Sequence, residues 1–162
     1  MKKFRTNGAI GALLDEYEKA IAELKILIST ISPTELTHIV DTKTTDKDCR
    51  SIETILIHVI RAGLNYVVSI RNHQGEKLKP VTSALFQTTT DFCTGLDKMF
   101  SSAESMFNDY PEIALEEQHE DNKIHVSWGQ RYDVEQLMEH AIVHILRHRR
   151  QIERFLLKIN AS

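Results

Sequence analysis

Apolar residues recur at intervals of three and four along four stretches of the chain. The first carries Ala9, Leu13, Tyr17, Ala20, Leu24, Leu27 and Ile31, the spacing that lines one face of a helix, and predicts a helix from about Ala9 to Ile31 that Ser32 and Pro33 stop. The second opens near Cys49 or Ser51, where Ser51 precedes a long apolar run, and continues to about Asn72 before Gly75 along Ile52, Leu56, Val59, Gly63, Tyr66 and Ile70. A third, from about Ser83 to Phe107, carries Leu85, Phe92, Leu96, Met99 and Met106, with the threonines at 88 to 90 weakening its middle. The fourth begins after Asp133, a natural N-cap, and carries Val134, Leu137, Ala141, Ile145, Ile152, Phe155, Leu156 and Ile159. Between Pro111 and Arg131 the pattern turns polar and then alternates from Ile124 to Trp128, which predicts a long loop with one short extended piece.

These elements predict an all-α fold, a four-helix bundle with a long loop before its last helix, and 162 residues suit a single domain. Hydrophobic residues at 41% and charged residues at 27% fall in the range of chains that fold unaided. The formal net charge of -3, with no dense Lys/Arg run, excludes a general nucleic-acid or membrane-surface role, which needs a basic face. The basic start at Met1 to Arg5 is followed by an apolar stretch that Asp15 and Glu16 break at once, so it does not read as a secretory signal. No window approaches the roughly 18 uninterrupted apolar residues of a membrane-spanning helix. Cys49 and Cys93 stand too far apart for a C-x-x-C motif. They read as free thiols in a reducing cytosol, with a disulfide between them as the alternative, and place the protein in the cytoplasm.

Eight histidines change the picture, because His140, His144 and His148 stand at successive i, i+4 positions in the last predicted helix. At about 100 degrees per residue, with His144 at zero, the apolar stripe lies at about 20 to 100 degrees, His148 near 40 and His140 near -40. His144 and His148 therefore face the core, and His140 sits at its rim. Two neutral imidazoles one turn apart in an apolar layer lack hydrogen-bond partners, and a shared metal ion at about 2.0 to 2.1 Å satisfies both. The third ligand must come from elsewhere. His58 is the one histidine in the body of another predicted helix, whereas His73 lies at a helix end and His38, His119 and His125 lie in polar connections. His140, about 12 Å along the axis from His148, is too far to share its ion.

Other chemistries fit less well. A di-iron bundle needs two helical E-x-x-H motifs, and the one E-x-x-H here, Glu116 to His119, falls in the polar loop. Neither cysteine has a histidine within a helical turn to serve as its base. Glu53, Arg61, Asn65 and Arg149 neighbour the histidines in sequence but read as solvated helix-face residues.

The segment from Arg50 through Ile57 to His58, and the closing His144, His148, Arg149, Gln151 and Ile152, resemble the DinB/YfiT-like metalloenzyme family. Its ending is commonly H-x-x-x-H-R-G-Q-I, and Arg150 stands here in place of the glycine. The resemblance runs from the first helix through the last. It implies an up-down-down-up bundle, a divalent metal ion such as zinc or nickel held by His58, His144 and His148, an open coordination position, and a homodimer. It further implies an S-transferase-like enzyme in which the metal activates a low-molecular-weight thiol such as bacillithiol or mycothiol toward an electrophile. The alternative is a nonenzymatic stress- or metal-responsive bundle whose metal is structural or adventitious.

Overall fold

The computed structural model describes residues 4–82 and 86–161. Its described elements are the helices α1 (Gly8–Ile28), α2 (Pro33–Thr37), α3 (Ile52–His73), α4 (Thr89–Asp109) and α5 (Val134–Asn160), two single-turn 3-10 helices at Lys47–Cys49 and Glu120–Asn122, and a small hairpin of β1 (Ile124–His125) and β2 (Arg131–Tyr132). The fold is all-α in class.

Local chemistry sets the helix ends. Ser51, Thr88 and Asp133 each accept a hydrogen bond from the backbone N–H three residues on, at Thr54, Asp91 and Gln136, and those three side chains return the bond to the cap. Such boxes satisfy two of the N–H groups that a helix start leaves unpaired. Thr88 therefore starts α4 rather than weakening its middle, which corrects the predicted start. The expected Ser83 and Leu85 lie outside the described residues, as do Met1 to Lys3 of the basic start. α1 ends at Ile28 rather than Ile31, because the Ser29 and Thr30 hydroxyls turn back onto the Ile26 and Leu27 carbonyls. Ser32 and Pro33 then open α2, with Ser32 and Glu35 capping each other and proline at the first turn. The extended piece is shorter than its Ile124 to Trp128 expectation: Ile124 pairs with Tyr132 and His125 with Arg131, and Trp128 stands in the turn beside Gly129 at φ 85.

Each long helix packs on two others: α1 on α4 and α5, and α3 on the same pair. Arg5, just before α1, pairs with Glu104, and Lys25 near the end of α1 pairs with Asp97, so α1 and α4 run antiparallel. Gly63 opposite Met99 and Arg71 paired with Asp109 set α3 and α4 parallel. Tyr66 against His140 and His58 against His148 set α3 and α5 antiparallel. The enclosed core holds Leu24, Ile28, Leu56, Ile70, Phe92, Leu96, Leu137 and Ile152, all fully buried, each contributing about 1.5–3 kcal/mol by leaving water. Gly63 permits the close approach of α3 and α4, since a Cβ there would collide with Met99 Sδ and lie 2.9 Å from Tyr17 Oη.

α3 is the one described helix long and apolar enough to cross a membrane by length and composition, with a mean hydropathy of 1.2. The sequence expectation thus holds only for uninterrupted apolar windows. Of that stretch, 44% is buried within the protein. Cys49 and Cys93 are both free thiols.

Candidate metal centre

α3 and α5 cross where their histidines meet. His58 Nε2 lies 3.0 Å from His144 Nε2, and the ring centres of His144 and His148 are 4.4 Å apart. One ligating atom from each of His58, His144 and His148 lies within 4.8 Å of the others. A tetrahedral ion at 2.0–2.1 Å separates its ligand nitrogens by about 3.3–3.4 Å, so the cluster needs only a small adjustment to hold one. The three histidines can hold a metal ion.

The remaining ring atoms favour that use. His148 Nδ1–H donates to Gln151 Oε1 at 2.9 Å, which leaves Nε2 with its lone pair, buried and without a hydrogen-bond partner. An orphaned acceptor in a 3% exposed side chain is costly, and a cation facing it removes that cost. His58 Nδ1–H donates to Asp48 Oδ2 at 3.3 Å, and the Arg61 guanidinium also donates to that oxygen. Such outer partners fix the tautomer and the ring plane of metal-ligating histidines.

Burial depresses the His144 pKa to about 2, with repulsion from His148 and His58 adding to it. Burial likewise pushes His148 down to about 4, the Gln151 hydrogen bond acting the other way. Both imidazoles are therefore neutral at pH 7, the form that binds a cation.

His140 stands outside the cluster. Its ring stacks on Trp128 at 5.6 Å between centres and meets Tyr66 edge-on at 5.4 Å and Tyr132 at 5.5 Å. His38, His73, His119 and His125 are also absent from it.

No protein-family model matches the chain, and no curated protein matches it.

Several residues around the cluster were misread or missed from sequence. Arg61 is no free surface cation, because it holds Asp48 against His58. Asn65 clamps the chain after α3, donating to the Val81 carbonyl and accepting from the Val81 N–H. Arg149 pairs with Glu23 and Glu153. Gln151 was legible as one helical turn beyond His148. Asp48 was not, since it lies before α3 in a short 3-10 helix, Lys47–Cys49, that periodicity does not reveal. Cys49 approaches Gln151, with Sγ 4.0 Å from its Oε1, a proximity that spacing concealed. Burial raises the Cys49 pKa, so the thiol stays protonated at neutral pH and is a poor nucleophile.

Proposed function

We propose that the chain is a divalent-metal-dependent enzyme of the DinB/YfiT-like type, with His58, His144 and His148 as ligands and zinc or nickel as the ion. The observation that carries this reading is the convergence of three imidazoles from two helices, two of them tethered by outer hydrogen bonds, with no fourth ligand among the described residues. Three protein ligands leave a coordination position open, as catalytic sites do, whereas structural zinc sites close with four. Two further observations support the family reading: the helix pairings, which correspond to an up-down-down-up bundle, and the Gln151 contact to His148.

A divalent cation in such a site lowers the pKa of a coordinated thiol or water and supplies a nucleophile at neutral pH. The chain's own part is to keep His144 and His148 unprotonated by burial and to orient His58 through Asp48 and His148 through Gln151. The reaction is transfer of a low-molecular-weight thiol to an electrophile: the S–H proton passes to solvent, a C–S bond forms, and the leaving group departs with its electron pair. A homodimer and a cytoplasmic site of action belong to the same proposal: the resemblance supports the first, and two free thiols are compatible with the second.

The test is metal analysis of protein purified without an affinity tag, followed by a thiol-plus-electrophile screen. Near-stoichiometric zinc or nickel, and conjugation that chelation abolishes, is the expected result. Bound metal with no acceleration for any thiol would leave a nonenzymatic metal-binding bundle, and protein that takes up no divalent metal would remove the reading altogether.

A further inference from the structure

A cavity of about 510 Å³ opens from the histidine cluster outward between α3 and α5, within the range of small-molecule sites. His58 and His144 form its inner end, and its outer wall is the hairpin turn with Ser127, Trp128 and Gln130.

One side of this cavity is a continuous surface of rings. Trp128 stacks on His140 at an interplanar angle of 25°, and Tyr66 stands edge-on to Trp128, His140 and His144 at 5.9, 5.4 and 5.9 Å. Trp128 is tied by its Nε1–H to Gln130 Oε1 at 3.1 Å, yet remains 45% exposed. A fixed indole with an open face is a stacking surface for a flat apolar group.

The other feature is charge. No Asp or Glu lines the cavity, whereas Arg61 and Arg147 both do. Arg61 is neutralised by Asp48. Arg147 makes no hydrogen bond or ion pair among the described residues, and it projects from α5 one residue before His148. A guanidinium presents paired N–H donors that match a carboxylate, and nothing acidic in the cavity competes for them.

We propose that this cavity binds an aryl carboxylate or a molecule of the same design, its carboxylate held by Arg147 and its flat ring laid along Trp128 and Tyr66. In the metal-dependent transfer proposed above, on which this assignment of a substrate class rests, the electrophile is such an aryl carboxylate that also carries, on a carbon away from its carboxylate, a leaving group that the thiol sulfur displaces, and the cavity delivers it beside His144. Binding itself uses the arginine and the rings and does not require the ion.

Trp128 is the chain's one tryptophan, so its emission reports the cavity directly. Benzoate is titrated against as-purified protein, chelator-treated protein and zinc-loaded protein, with benzyl alcohol as the uncharged counterpart. Arg147→Gln is compared with Arg150→Gln, which removes the same charge from an exposed position of α5 outside the cavity. The expected result is a saturable emission change with benzoate in the chelator-treated form, and at least about tenfold weaker binding of benzyl alcohol. Arg147→Gln should weaken benzoate by about tenfold, the low end for a charge-assisted hydrogen bond, while Arg150→Gln binds as the parent does. The proposal is overturned if benzoate gives no saturable change, if benzyl alcohol binds equally, or if the two arginine variants behave alike. Failure to load zinc alongside normal benzoate binding would remove the metal-dependent function and leave the anion site standing. Zinc loading without benzoate binding would do the reverse.

Discussion

Replacing Gln151 by Met tests whether the outer hydrogen bond sets the state of the His148 ring. The substitution keeps length and flexibility but removes the acceptor of the 2.9 Å bond from Nδ1–H. A buried N–H left without its acceptor costs about 1–3 kcal/mol, and His148, only 3% exposed, has little water to turn to. The ring can escape that cost by moving its proton to Nε2, where the lone pair for the ion should be. Either response weakens metal binding, by about 10- to 100-fold for loss of such a partner, or about 1.4–2.8 kcal/mol at 1.4 kcal/mol per decade. Competition for zinc against a chromophoric chelator measures the affinity, and the circular dichroism of the metal-free variant checks that the helices persist. Gln151→Glu, which retains an acceptor, should bind zinc within about tenfold of the parent. Parental affinity in a folded Gln151→Met variant, or equal losses in both variants, would refute the assignment of Nε2 as the ligating atom.

Alanine at His58, His144 or His148 should each remove most of the bound metal, and His140→Ala should retain it; metal content after desalting decides, and the opposite pattern for His58 and His140 would move the site. Because the folded pKa values of His144 and His148 are depressed from 6.5 to about 2 and about 4, the unfolded chain takes up protons below pH 6.5 before the folded chain does. Stability of the metal-free protein should therefore be undiminished above pH 6.5 and fall as pH drops below it, through about 4 for the His148 contribution and on toward about 2 for that of His144. Thermal midpoints across that window should show a shallower fall in the His144→Ala, His148→Ala double variant, and parallel curves would contradict the sign. Gly63→Ala should destabilise by about 1–3 kcal/mol through collision with Met99 and Tyr17, read from urea midpoints. Light scattering at micromolar concentration should give a dimer mass, and a monomer mass would reject the dimer while leaving the histidine cluster untouched.

The class of the fold was legible because helix periodicity is a local property: Ser51 and Asp133 announce α3 and α5 by side chains that reach backbone groups three residues away. The inward face of His144 and His148 was legible for the same reason, as an angle on one helix. Errors arose where a local signal has two meanings. Thr88 reads as a weak interior residue by propensity and as a cap by its hydroxyl, and Asp91 one turn on decides between them. That His58 meets His144 at 3.0 Å depends on the packing of α3 against α5, across 86 positions of sequence. Spacing within either helix carries no information on that distance. The same packing brings Asp48 to His58 and seats Trp128 over Tyr66 and His140. Side-chain chemistry along the chain thus determined which groups were available to bind a cation, and only the tertiary structure decided which of them share one point in space and what surrounds it.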